Sequence, residues 1–109
     1  MAEPQPPASL LVPALIRRVE AAGGFATVLA KGSRFGSALL LAVRSGGVPT
    51  VFEKIPGLSG QPDWRRAATG EAEVAAFIER QRRFDADLWV LELDIAEPAR
   101  FVPGLPNEI

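Results

Sequence analysis

From Val12 onward, apolar side chains recur at Val12, Leu15, Ile16 and Val19, the i, i+3, i+4, i+7 spacing of one helix face. Arg17, Arg18 and Glu20 fall on the other side. Pro13 suits the first helical position, where the N–H it lacks would have no partner anyway. Gly23-Gly24 supplies a C-terminal stop. Phe25 to Lys31, Ser37 to Arg44 and Val48 to Lys54 then read as three consecutive strands. Ser45-Gly46-Gly47, between the last two, is a short glycine-bearing hairpin signal. Ala38 to Val43 is apolar on both faces, as in a central strand covered on each side. Pro49 points to an edge or to a strand's first residues.

Beyond a turn-rich loop from Ile55 to Asp63, a short strand fits Trp64 to Ala68. Glu71 to Phe84 carries a second helical stripe, Val74, Phe77 and Ile78, and Asp85-Ala86-Asp87 ends it. Leu88 to Ile95 alternates cleanly: Trp89, Leu91, Leu93 and Ile95 on one face, Glu92 and Asp94 on the other. The order α-β-β-β-(β)-α-β predicts an α+β fold. Its sheet would be antiparallel or mixed, with about 4–5 strands and two helices packed on one face. Residues 1–8, with three prolines and no anchor, read as a disordered lead-in. Residues 9–96 form a single domain, and 97–109 an irregular C-terminal tail pinned by Phe101 and Val102.

Composition narrows the chemistry by elimination. Among 109 residues there is no cysteine, histidine or tyrosine. Disulfides, thiolate or imidazole metal sites and His-based triads are therefore impossible within one chain. Twelve basic residues against thirteen acidic give a net charge of -1, without the positive balance of a nucleic-acid binder. No apolar run reaches the ~18 residues that span a bilayer, and no basic-then-apolar leader opens the chain. The expectation is a cytoplasmic protein without membrane or cofactor.

Of the candidate site residues, Arg80, Arg82 and Arg83 end the second helix, where guanidinium forks suit phosphate or carboxylate. Favourable charge at the helix's negative end explains the whole pattern and is the preferred reading. Glu53, Asp85, Asp87, Glu92 and Asp94 could chelate Mg²⁺ or do acid–base work if they converged. Asp85 and Asp87 are also ordinary turn residues. Trp64 and Trp89 are aromatic anchors, Trp89 for the core and Trp64 for either core or ligand. Gly23-Gly24 and Gly32 to Gly36 lack the strand-loop-helix setting of a phosphate cradle.

Three strings are similar to an uncharacterised family of short bacterial proteins, domain of unknown function 1491. They are Leu15-Ile16-Arg17-Arg18-Val19, Ala21 to Ala30, and above all Arg83-Phe84-Asp85-Ala86-Asp87-Leu88-Trp89-Val90-Leu91-Glu92-Leu93-Asp94. The resemblance covers about Leu10 to Asp94 and implies a small intracellular domain with no known activity. Elimination then points to a non-catalytic module that binds another macromolecule, a protein. Arg80, Arg83, Asp85, Asp87 and Trp64 are its candidate contacts. The rivals are a carboxylate-dependent, metal-assisted enzyme and a weak RNA or nucleotide binder using the arginines.

Overall fold

The computed structural model describes residues 6–58 and 60–106. Most of the expected lead-in, residues 1–5, lies outside that range. Helix α1 spans Ala8–Ala21 and starts a full turn before Val12. Ala8 extends the buried stripe of Val12, Leu15 and Val19 backwards, and it is completely buried. Its N–H donates to the Gly36 carbonyl, and Ser9 Oγ donates to the Arg34 carbonyl at 2.7 Å. Pro13 therefore sits inside the helix, on its exposed face, rather than opening it.

The strands are β1 (Phe25–Ala30), β2 (Leu39–Arg44), β3 (Pro49–Pro56), β4 (Pro62–Thr69) and β5 (Trp89–Asp94), with α2 over Glu71–Phe84. They form one mixed five-stranded sheet in the order β1-β5-β2-β3-β4, an α+β fold. β5 runs parallel to β2 and antiparallel to β1; the remaining pairs are antiparallel. The hairpin at Ser45 to Gly47 forms as expected, with Gly46 and Gly47 at φ 98° and 124°. β4 is longer than the segment Trp64 to Ala68.

Consecutive strands in the chain are not all neighbours in the sheet: β5 inserts between β1 and β2. The link between them crosses the start of β5 instead: Ser33 N–H donates to Asp87 O, Trp89 N–H to Ala38 O, and Trp89 Nε1 to Ser33 O at 2.8 Å. Nor do the helices share a face. Leu39, Leu41 and Val43 of β2 pack with Val12, Leu15 and Val19 of α1, whereas Leu40 and Ala42 pack with Val74 of α2. Alternating residues of a strand point to opposite sides, so α1 and α2 cover opposite faces. The doubly apolar run in β2 is the mark of that sandwich.

The C-terminal segment packs against the α1 side of the sheet. After a 3-10 turn at Pro98–Arg100, Val102 and Leu105 are buried in the α1-side core. Gly104 takes φ 88°, and a Cβ there would stand 2.7 Å from the Pro62 carbonyl. Only glycine lets this segment lie so close against β4.

Candidate functional site

Strand parity puts Phe52 and Lys54 on the same side of β3, facing α1. Phe52 closes the core there. Lys54, two residues on and paired across the sheet with Trp64, reaches a place where the packing opens. A cavity of about 320 Å³ lies between α1, the β3–β4 ribbon and the C-terminal segment. Leu11, Ala14 and Leu15 of α1 form one wall, Leu39 and Leu41 of β2 the floor. Pro62 and Trp64 of β4 close one side, and Phe101, Val102 and Pro103 the other.

Among the described residues that line it, two are cations, Lys54 and Arg18, and none is an anion. Arg18 is engaged: its Nη2 donates to the Phe101 carbonyl at 2.9 Å and ties α1 to the C-terminal segment. Lys54 is not. Its Nζ is the one buried side-chain nitrogen or oxygen without a hydrogen-bond partner among the described residues. Burial without a counter-ion disfavours the charged form, and it holds the Lys54 pKa below the usual lysine value. A buried polar group normally finds a partner. The Lys54 ammonium is complementary to an anion that no described residue of the cavity wall supplies.

Of the candidate contacts proposed from sequence, Trp64 lies in this cavity, where it is buried. Arg80 and Arg83 lie exposed on α2, across the sheet. Arg83 pairs with Glu79 at 2.5 Å, and Arg80 lies over the Phe77 ring. Asp85 and Asp87 are exposed in the turn after α2, where Asp85 Oδ1 accepts the Asp87 N–H at 3.0 Å. The carboxylates do not converge. Glu53 pairs with Arg65, Glu92 with Arg44, and no three His, Cys, Asp or Glu side chains gather among the described residues.

Sequence reasoning missed Lys54, Arg18 and the C-terminal wall. The signal for Lys54 lies in the strand's period of two, which puts it on the same face of β3 as the buried Phe52. The Arg44 node was missed as well. Arg44 bonds both Glu71 oxygens, at 2.6 and 2.8 Å, and Glu92 at 3.3 Å, joining β2 to α2 and β5.

A family model for a protein of unknown function, DUF1491, matches residues 7–103. The chain belongs to the DUF1491 family. Its fold is similar to the crystal structure of a DUF1491 family protein from Caulobacter crescentus CB15 (34% identity, TM-score 0.77), covering 90% of this chain and 96% of that one. It is also similar to the solution structure of protein Atu0922 from A. tumefaciens (32% identity, TM-score 0.77), covering 97% and 98%. A DUF1491 family protein from C. crescentus CB15 determined by NMR matches at 32% identity and TM-score 0.77, covering 95% and 99%. Comparison with curated proteins gives no significant match. No helix among the described residues is long and apolar enough to cross a membrane.

Proposed function

We propose that this DUF1491 chain is a non-catalytic binding module whose ligand enters the cavity between α1, the β3–β4 ribbon and the C-terminal segment. The observation that carries the reading is the unpartnered, buried Lys54 ammonium in a mostly apolar wall. Small-molecule sites have this make-up: mostly apolar lining and a few polar groups that orient the ligand. Elimination from the sequence favours a macromolecular partner without locating one. The cavity supplies a positive reason for a smaller ligand. The dispersed carboxylates favour binding over acid–base or metal-assisted chemistry, since each is engaged or exposed at a different place.

Amide NMR of the labelled protein against a panel of small organic acids, alcohols and amines tests the reading. Shifts should concentrate at Leu11, Leu15, Lys54, Trp64 and Val102, and Trp64 emission should respond. Ala14→Phe, which fills the cavity from α1, should abolish both. If no compound of the panel perturbs these residues, the cavity is packing space and the reading falls.

A further inference from the structure

We infer that the occupant of this cavity is a small monocarboxylic acid with an apolar body, its carboxylate on Lys54 and its chain against Leu11, Leu15 and Trp64. This rests on the binding reading above and names the ligand class. The first argument is charge. Among the described residues the lining holds two cations and no anion, and Arg18 already donates to the Phe101 carbonyl, so of these two it is Lys54 that is left to read a negative group.

The second argument is size. A cavity of about 320 Å³ lies at the small end of the roughly 300–1,000 Å³ range of ligand pockets, so the acid is a small one. The third is polarity. Apart from Lys54, Arg18 and Gln61, the described lining side chains are apolar. A phosphate, a sugar or a di-acid would leave its further polar atoms unpaired against leucine, proline and tryptophan, at a cost in affinity. A cation would meet Lys54 and Arg18 and be repelled.

Octanoate, 1-octanol and octylamine share a tail and differ only in the head group, so titration calorimetry with the three isolates what Lys54 reads. Octanoate should bind at least about tenfold more tightly than octanol, as a charge-assisted hydrogen bond implies, and octylamine should not bind. Lys54→Met keeps the apolar stem and should erase the preference while octanol binding persists. Equal affinity for octanoate and octanol in the wild type overturns the carboxylate assignment yet leaves the cavity a binding site. Failure of all three compounds to bind takes both readings down. A short peptide ending in leucine, compared with its C-terminal amide, separates a free acid from a chain end. Tighter binding of the peptide acid than of octanoate would overturn the small-molecule assignment.

Discussion

Trp89 is held in two ways. Its ring is buried in the α1-side core, and its Nε1 donates to the Ser33 carbonyl at 2.8 Å. The two contributions separate by substitution. Trp89→Ala should cost ~3–5 kcal/mol, the loss of a large core aromatic. Trp89→Phe keeps most of the ring and removes the donor, for ~1–2 kcal/mol. Urea denaturation of both variants checks this, and equal losses would mean the hydrogen bond dominates. Glu71 gives a prediction in pH. Its hydrogen bonds from Arg44, reinforced by the attraction of that charge, hold its carboxyl below the ordinary 4.5 in the folded chain. Glu71 therefore adds stability above about pH 4.5 and loses it as pH falls through the lower folded value. The gap in melting temperature between wild type and Glu71→Gln should be widest near neutrality and close in acid. A gap independent of pH would show that the ion pair contributes nothing.

At the scale of elements, α1 contains a built-in cost. Pro13 is its sixth residue, so the Ser9 carbonyl lacks the N–H donor that helix geometry would bring to it. Its ring lies on the exposed face, and the helix gains no core packing from it. Pro13→Ala should therefore stabilise the protein by ~1–3 kcal/mol, seen as a higher melting temperature. A lower one would show that the proline's fixed φ supports the turn. The same residue shows how far the sequence could be read. The helical stripe, the glycine hairpin and the α2 bounds follow from periodicity and turn chemistry, which are local. The start of α1 was misplaced because proline chemistry favoured Pro13 while the stripe ran back to Ala8, whose burial depends on distant Gly36. Insertion of β5 between β1 and β2 is likewise a non-local pairing with no local signature. Of the site, Trp64 was legible as an aromatic of uncertain facing. Lys54 stood in a visible alternation, but its importance depends on a wall made by residues 101–103, from the other end of the chain.

Across the whole molecule, the two faces of the sheet are finished differently. On the α2 side the half-buried Arg44 is answered by Glu71 and Glu92. On the α1 side Lys54 is answered by nothing among the described residues. A charge left unpaired in a cavity lowers stability, a burden that proteins accept where binding requires it. Lys54→Met retains the aliphatic stem that packs along the wall and removes the ammonium. It should be more stable than wild type at pH 7 while losing the preference for octanoate. The dependence on pH follows from burial, which lowers the Lys54 pKa in the folded chain from the 10.5 that unfolding restores. Between those two values the unfolded chain holds more protons, so wild-type stability rises with pH through that window and levels off above 10.5. The advantage of Lys54→Met should thus shrink as pH climbs toward 10. Every other titrating group is common to the two proteins, so their difference isolates Lys54. Urea titrations at pH 7, 8, 9 and 10 measure it. A variant less stable than wild type at pH 7 would mean that the ammonium is already satisfied in solution, and the cavity would lose its claim on an anion.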